Sequence, residues 1–304
     1  MDPFLDLIRL LRPQATLWAR IDAAGRWGVS FRQHNDLLFC WVKHGECQLA
    51  RPGVDPVHLR TDDFVLVRTS TPFTLVSDLS AEPVDSEAMV AAMGTTLMKL
   101  GEGMDSPVFL RGGRFVFDTA NEQLLTGMLP QVVHVVSRET ASKRVRALLE
   151  MNEAESDVSG PGSEFIIARL MELLLVEVLR SLTIYSHSMQ AGLLAGLADP
   201  VTARALMAMH GDIARSWTTA KLARLCGASR SAFAIRFGKV VGIGPIEYLR
   251  QWRIALAKDQ IRNGASSIGE IALAIGFQSG SAFSTAFTRA VGCSPKQFAE
   301  IASR

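Results

Sequence analysis

The chain repeats one stretch, Ser229-Arg-Ser-Ala-Phe233-x3-Phe237-x3-Val241-Gly242-x2-Pro245, fifty residues later as Ser279-Gly-Ser-Ala-Phe283-x3-Phe287-x3-Val291-Gly292-x2-Pro295. A short apolar segment with a glycine precedes each copy, Leu222-Ala-x2-Cys226-Gly227 and Ile271-Ala-x2-Ile275-Gly276. Helix, glycine turn and helix in succession is the pattern of a helix-turn-helix. The repeat therefore predicts two such units in tandem, able to place two helices in successive major grooves of DNA.

The second helix of each predicted unit has one face for packing and one for DNA. Phe233 and Phe237 lie four positions apart, as do Phe283 and Phe287, so each pair shares a buried helix face. A serine precedes each helix, where its hydroxyl can accept a hydrogen bond from an unpaired backbone N–H. The N-terminal half of such a helix reaches base edges. The residues predicted to face the bases are Arg230, Ser231, Ala234, Ile235, Gly280, Ser281, Ser284 and Thr285.

A predicted helix from Pro245 to about Arg262 joins the two units. Eighteen helical residues span about 27 Å at ~1.5 Å per residue, which is close to the roughly 34 Å between successive major grooves. Its apolar face is expected to pack inward, and the rest is expected to carry the cations Arg250, Arg253 and Lys258. Pro245 and Pro295 are expected to stop the units that they follow.

The C-terminal third is basic, although the chain as a whole is nearly neutral. Residues 199–304 contain 14 Lys and Arg against 6 Asp and Glu, whereas the net charge of all 304 residues is +2. Residues 1–198 therefore carry a net charge of −6. Such a basic domain binds DNA through counterion release. The alternative is a basic helical domain with a merely solvated surface, and the repeated pattern favours DNA binding.

Residues from about 200 to 302 resemble the AraC/XylS-type DNA-binding domain of bacterial transcription regulators. Trp217–Phe233, Pro245–Arg253 and Ile271–Pro295 carry the resemblance. Members of this family commonly have arginine where this chain has Ile235 and Thr285. The base preference of relatives therefore does not carry over, and affinity is expected to rest on phosphate contacts, which position a protein without reading sequence. The candidate phosphate contacts are Arg230, Arg236, Lys239, Arg289 and Lys296.

The first 135 residues instead alternate apolar and polar positions over short stretches. Six such stretches are Trp27–Phe31, Leu37–Val42, Cys47–Leu49, Val57–Leu59, Phe64–Val67 and Phe73–Val76, with Gly, Pro or Asp between them. Short strands at regular spacing predict a closed or double-sheet β structure. The order of motifs over roughly residues 3–135 resembles the cupin-like sensor domain attached to many AraC-type regulators. These motifs are Trp27-Gly, Gly45-Glu-Cys, Asp62-Asp-Phe-Val-Leu-Val, Thr71-Pro-Phe-Thr-Leu, Gly112–Asp118, Leu124-Leu, Leu129-Pro and His134.

Five aromatic residues of this β region are candidates for an effector site. They would form an apolar lining if they face the interior of the barrel, and they would simply fill a small barrel if the interior is solid. A filled barrel would imply sensing elsewhere or none. The candidate effector-binding residues are Phe31, Phe39, Trp41, Phe64 and Phe73.

Histidines and cysteines provide the test for an enzyme or a redox sensor. The six histidines, His34, His44, His58, His134, His187 and His210, form no H-x-H pair. Phe73 stands where the resemblance to cupins implies a ligand histidine, and a facial metal site needs three or more converging ligands. No metal, no cofactor and no catalytic activity are therefore expected. Cys40, Cys47, Cys226 and Cys293 form no C-x-x-C. They are expected to be small buried residues, with oxidant sensing by Cys40 or Cys47 as the alternative.

An α-helical region lies between the two parts. One helix is predicted from Ser142 to Glu155, and a second, strongly apolar one from Phe165 to Leu182. The apolar residues of the second helix cover more than one stripe, so it needs partners on two sides. A partner subunit and the first domain are the two candidates. Asp199-Pro200 is the predicted start of the last domain.

These observations predict a multidomain α+β protein: a cupin-like β-barrel over 1–135, a helical linker and dimerisation region over 136–198, and an all-α double helix-turn-helix over 199–304. The predicted function is a sequence-specific DNA-binding transcription regulator that responds to a small-molecule effector. A homodimer is expected, and RNA polymerase is a further candidate partner. No apolar run has the ~18–20 residues of a membrane span and the start lacks a basic n-region, so a cytoplasmic protein is expected. The alternatives are a cupin-type metalloenzyme fused to a DNA-binding module and an effector-independent DNA-binding protein.

Overall fold

The protein is described by a computed structural model covering residues 2–11, 14–34, 36–93, 97–103, 107–117, 130–158, 160–185, 191–264 and 266–302. Two compact units are present. The strand unit contains residues 14–117 and 130–185, and the helical unit contains residues 2–11 and 191–302. The domain boundaries inferred from the sequence stay a prediction. His187 and the cupin-like motif residues from Asp118 to Leu129 lie outside the described residues.

The strand unit consists of two sheets. The six-stranded sheet has the order β11-β6-β3-β10-β1-β9, and the five-stranded sheet has the order β5-β4-β7-β2-β8. The strands are β1 Gln14–Ala23, β2 Gly28–Phe31, β3 Leu37–His44, β4 Glu46–Arg51, β5 Val54–Arg60, β6 Phe64–Arg68, β7 Phe73–Val76, β8 Val84–Asp85, β9 Met98–Leu100, β10 Val108–Val116 and β11 Val132–Val135. The cupin-like β fold is confirmed, as two sheets whose described pairings do not close into one barrel.

The core of the strand unit lies between the sheets. Both sheets contribute to it, for example with Val42 and Leu110 from the larger sheet and Leu49 and Leu75 from the smaller. Because successive side chains of a strand point to opposite faces, the larger sheet has a second face. That face presents Trp41 and its neighbours across the strands.

Two long helices belong to the same unit. These are α3 Thr140–Val158 and α4 Ser163–Tyr185, after the short helix α2 Ser86–Met93. α4 contacts β1 and β11, and Glu153 of α3 accepts a hydrogen bond of 2.9 Å from Arg111 of β10. The helices therefore cover the second face of the larger sheet. Both predicted helices are confirmed, and each extends beyond its predicted ends.

The helical unit is built from short helices around the joining helix. Its elements are α1 Pro3–Leu11, α5 Leu193–Ala198, α6 Pro200–Gly211, α7 Thr219–Leu225, α8 Arg230–Val241, α9 Pro245–Asn263, α10 Ile268–Ala274, α11 Gly280–Val291 and α12 Pro295–Ala302. The two helix-turn-helix units are α7–α8 and α10–α11, as predicted. Each unit ends before its proline, at the left-handed Gly242 or Gly292. Pro245 and Pro295 open the next helices, α9 and α12, where an N1 proline lacks only an N–H that would have no helical partner.

None of the helices in the described part of the chain combines the length and the apolar character that a bilayer-spanning segment needs.

Candidate nucleic-acid interface and apolar cavity

The first helix-turn-helix is held by a cap, a left-handed glycine and two aromatic rings. The hydroxyl of Ser229 accepts from the Ala232 N–H at 3.3 Å and so begins α8. Gly227 in the turn has φ +69°, a conformation that side chains disfavour. Phe233 and Phe237 are buried. The N-terminal half of α8 is thereby fixed with its opposite face outward.

The second unit repeats this construction. Ser279 accepts from the Ala282 N–H at 3.2 Å, and Phe283 and Phe287 are buried. The turn glycine, Gly276, has φ +86°, and a Cβ there would lie 2.4 Å from the carbonyl oxygen of Ala214. Glycine is therefore required at this position, both by the backbone conformation and by the close approach of the backbone at Ala214.

Most of the residues predicted to contact DNA lie on the open faces of α8 and α11. Ala234 and Ser284 are half-buried, and the others are exposed: Arg230, Ser231, Ile235, Arg236, Lys239, Gly280, Ser281, Thr285 and Arg289. Ile235 is 72% exposed, so its apolar side chain is accessible to a partner. These two faces form the candidate nucleic-acid interface.

Ile235 and its counterpart Thr285 offer similar chemistry. The Thr285 hydroxyl donates to the carbonyl oxygen of Ser281 at 3.0 Å, so its proton is used within the helix. What remains for a base is a methyl group and acceptor lone pairs. Each recognition helix therefore presents methyl groups at the equivalent position.

Arg236 is engaged by the protein itself. Its guanidinium donates from Nε at 3.0 Å and from Nη2 at 2.6 Å to Oδ2 of Asp199. The same carboxylate caps α6 through the N–H groups of Val201 and Thr202. Burial would raise the pKa of Asp199, but the hydrogen bonds from Arg236 and Thr202 lower it below its ordinary value. Arg236 thus stabilises the start of α6, a role that sequence reasoning missed. It is therefore less available to a phosphate than Arg230 or Lys239.

An acidic group lies beside the second recognition helix. Glu247 of α9 borders a groove with Thr285 and Arg289. Its carboxylate accepts from Arg250 at 2.7 and 2.9 Å and from Gln251 at 3.0 Å. The pKa of Glu247 is lowered, chiefly by the hydrogen bond from Arg250. Arg250 and Arg289 thus surround this carboxylate with positive charge.

Arg253 is not a surface cation, contrary to the expectation from the sequence. Its guanidinium donates to the carbonyl oxygen of Ile213 at 2.7 and 3.0 Å, to that of Arg215 at 2.9 Å and to that of Gly276 at 3.3 Å. Burial lowers its pKa. Arg253 therefore holds the segment before α7 against the turn of the second unit. These hydrogen bonds are needed because the carbonyl groups of this segment have no partner within a helix.

Replacing Arg253 with methionine is expected to lower the free energy of unfolding of the helical unit by about 3 kcal/mol, because carbonyl groups lose a charged donor. Arg250→Met, three residues earlier and paired with the half-exposed Glu247, is the matched control and should cost less than about 1 kcal/mol. Urea unfolding of the full chain, followed by circular dichroism, measures both. Equal losses for the two variants would contradict the role assigned to Arg253.

A buried polar network connects α1, α6 and α9 within the helical unit. Asp6 contacts Nδ1 of His210 at 3.0 Å, and Nε2 of His210 contacts the Tyr248 hydroxyl at 2.8 Å. The His210 ring also lies 4.4 Å from that of Trp252. Burial lowers the pKa of His210, and Asp6 opposes that effect. The helical unit therefore includes a segment far outside the predicted domain 199–304, which no local pattern could reveal.

The strand unit contains an apolar cavity between its sheets. Its volume is about 70 Å³, and it is partly open to solvent. Phe31 and Phe73 line it, with rings stacked 4.6 Å apart. Phe39 borders it, but its ring packs against Phe64 and Phe115 at 5.9 and 5.2 Å.

The five predicted effector residues are therefore not brought together. Trp41 and Phe64 are not among the described residues that line the cavity. They pair across β3 and β6 on the face that α3 and α4 cover. The reason is the two-residue period of a strand: Phe39 and Trp41 share one face, and the cavity lies on the other, beside Leu38 and Cys40.

Packing and single hydrogen bonds account for the two thiols and for three histidines of the strand unit. Burial raises the pKa of Cys40 well above its ordinary value and that of Cys47 to about 12. Neutral thiols at these positions fit a packing role better than oxidant sensing. Three histidines contact single carboxylates: His34 with Glu87, His58 with Glu46, and His134 with Asp63. Within the described ranges, no three His, Cys, Asp or Glu side chains cluster as metal ligands would.

Comparison with known proteins agrees with this arrangement. Residues 2–183 match the Cupin family, and residues 222–301 match the Helix-turn-helix domain family. The chain is 40% identical over 299 residues to a Streptomyces lividans protein named as an AraC-like transcription regulator, with 98% of each chain covered. It is 32% identical over 176 residues to the HTH-type transcriptional regulator AlkR of Acinetobacter baylyi, with 57% of each covered.

Among solved structures, the DNA-binding domain of AdpA in complex with a target DNA is similar at 26% identity and a TM-score of 0.32, covering 34% of this chain and 92% of that one. The relative with 98% coverage establishes the family for the whole length of the chain. This chain belongs to the AraC-like transcription regulators, with an N-terminal cupin domain and a C-terminal helix-turn-helix domain.

Proposed function

We propose that this regulator binds specific sites in double-stranded DNA through α8 and α11 and that a small molecule in the cavity of the strand unit controls this binding. The observation that carries the proposal is the repetition of one construction. Two capped helices of identical length present equivalent open faces, and one helix, α9, joins them. A two-groove reader needs this arrangement. We assign the chain no catalytic role.

Base recognition and phosphate contact are divided between different residues. Ser231, Ile235, Ser281 and Thr285 lie where base edges would be read. Arg230, Lys239, Arg289 and Lys296 are exposed cations suited to phosphates. Methyl groups at 235 and 285 favour sites with a thymine at the corresponding position, since the thymine methyl is the apolar feature of the major groove.

Ile235→Arg is expected to change which sites are bound. Arginine can pair bidentately with guanine, worth about 1–3 kcal/mol of discrimination, whereas isoleucine offers only apolar contact. Selection from a random DNA library with the full chain and with the variant measures the change. Leu273→Arg, a similarly exposed apolar position on the first helix of the second unit, is the control and should leave the selected sequence unchanged. An unchanged preference for Ile235→Arg would show that residue 235 does not face bases.

Control by an effector requires that the effector bind one conformational state better than another. The cavity is the best candidate site because it is enclosed by apolar walls on both sheets. Footprinting on a bound DNA site with and without the effector tests the proposal. Identical protection at saturating effector would leave an effector-independent DNA-binding protein as the function.

A second copy of the chain is the proposed partner of the α3–α4 face. Leu170, Leu174 and Val178 of α4 are buried within the strand unit, but Phe165 and Leu173 are exposed, at 67% and 52%. One apolar stripe of this helix is therefore packed within the strand unit, and the other is exposed to solvent. An isologous contact about a two-fold axis would cover that stripe with itself. A dimer at a promoter would also lie within reach of RNA polymerase.

A further inference from the structure

A row of small residues forms the floor of the cavity. Ala19 of β1 pairs with Gly112 of β10, Gly112 pairs with Cys40 of β3, and Cys40 pairs with Val65 of β6. These four residues line the cavity side by side across four strands. Large side chains at the same height would fill the space, so the cavity exists because this row, which we call the small-residue row, is small.

Gly112 cannot readily be enlarged. A Cβ at this position would lie 2.9 Å from the carbonyl oxygen of Phe39, which is backbone and cannot move aside. The stacked rings of Phe31 and Phe73 lie on the other sheet. The cavity is therefore bounded by a smooth floor on one side and by flat aromatic rings on the other.

The walls hold no permanent charge. Among the described residues that line the cavity, none carries a carboxylate, an ammonium or a guanidinium group, and the only titratable one is Cys40. Burial keeps its thiol neutral by raising its pKa. An ionised ligand would lose its hydration here without gaining a partner, which is strongly unfavourable.

We infer that the cavity takes an uncharged, predominantly apolar small molecule, such as a hydrocarbon or a simple aromatic compound, and that the small-residue row sets the size that fits. This inference rests on the proposed function, in which the cavity is the effector site. It adds the chemical class of the effector and the residues that select it.

Toluene and benzoate form a matched pair of probes, since they share a ring and differ in charge at neutral pH. Toluene is expected to raise the melting temperature of the full chain by about 3 °C or more at a concentration roughly tenfold above its dissociation constant. Benzoate at the same concentration is expected to leave it unchanged. Stabilisation by benzoate equal to that by toluene would overturn the assignment of an uncharged ligand.

Ala19→Leu and Ala50→Leu locate the binding. Ala19 lies in the small-residue row, whereas Ala50 follows the cavity residue Leu49 on β4 and points to the opposite face. Toluene should stabilise Ala50→Leu as it does the unmodified chain and should not stabilise Ala19→Leu. Circular dichroism checks that both variants fold. If Ala19→Leu does not fold, Cys40→Leu replaces it with the same expectation. Equal stabilisation of the row variant and Ala50→Leu would place the bound toluene elsewhere.

DNA binding is measured on the same samples. Retained DNA binding without any effect of toluene on melting would overturn the apolar-ligand inference and leave the regulator's DNA-binding role intact. Absence of DNA binding by the unmodified chain would instead refute the proposed function, whatever the effect of toluene on the melting temperature.

Discussion

Raising the salt concentration from about 50 to about 200 mM is expected to weaken binding of the full chain to duplex DNA by roughly 10²–10³-fold. The reason is counterion release by exposed cations near the two recognition helices, namely Arg230, Lys239, Arg289 and Lys296, with a few more phosphate contacts from the basic unit. Fluorescence anisotropy with a labelled duplex over this salt range gives the slope. An affinity that hardly changes would contradict phosphate contact by this face.

Single substitutions measure how much each residue contributes to the slope of log affinity against log salt concentration. Lys239→Gln should reduce it by about one, because one phosphate contact is lost, and should weaken all DNA sequences alike. Arg236→Gln should act mainly on stability, since Arg236 is bonded to Asp199 at the start of α6. The full chain is the appropriate sample because a fragment beginning at residue 199 lacks the Asp6 partner of His210.

Leu174→Glu is expected to lower the free energy of unfolding of the strand unit by about 4 kcal/mol or more, because a carboxylate would be buried without a partner. Leu174 is 1% exposed within the single chain. The apolar pattern of this helix predicts that a charge at Leu174 disrupts helix packing and, if the face is intermolecular, dimerisation. Because Leu174 is buried in the single chain, we expect the loss of packing within the strand unit. Urea unfolding measures the loss, and a variant as stable as the unmodified chain would place Leu174 outside the core.

Leu173→Glu, one residue away, separates the two roles of α4. It should leave the free energy of unfolding nearly unchanged and raise the dimer dissociation constant by about tenfold or more. Sedimentation equilibrium measures the second quantity. Val54→Glu, at a similarly exposed apolar position on β5, is the control and should leave the dissociation constant unchanged. A Leu173→Glu variant that dimerises normally would remove this stripe from the interface.

The helix-turn-helix units could be predicted because their information is local. Caps, turn glycines and phenylalanine pairs each act within about one turn of helix, so Ser229, Gly227 and Phe233 can be interpreted without knowing the rest of the fold. The length of α9 is equally local, since Pro245 opens it and Gly264 ends it in a left-handed conformation. Because the second unit repeats the pattern of the first, each unit supports the prediction made for the other.

The cavity could be predicted only in outline because it depends on register between distant strands. The aromatic residues of β3 are visible in the sequence, but which face they take depends on how β3 pairs with β6 and β10. The small-residue row joins positions as far apart as Ala19 and Gly112. Arg253 was missed for a related reason: its acceptors are backbone carbonyl groups, which leave no trace in the sequence.

The network around His210 has a consequence for biosynthesis. Asp6 and His210 are separated by 204 residues, so at roughly 5–20 residues per second the ribosome needs about 10–40 s to supply the second after the first. During that interval the apolar side chains Leu7 and Leu10, which end up buried, have none of their final neighbours from α6 and α9. The nascent α1 is then an amphipathic segment with an exposed apolar face, to which a chaperone could bind. Pulse-labelled chains should accordingly become protease-resistant at their first residues only after the last helices have left the ribosome.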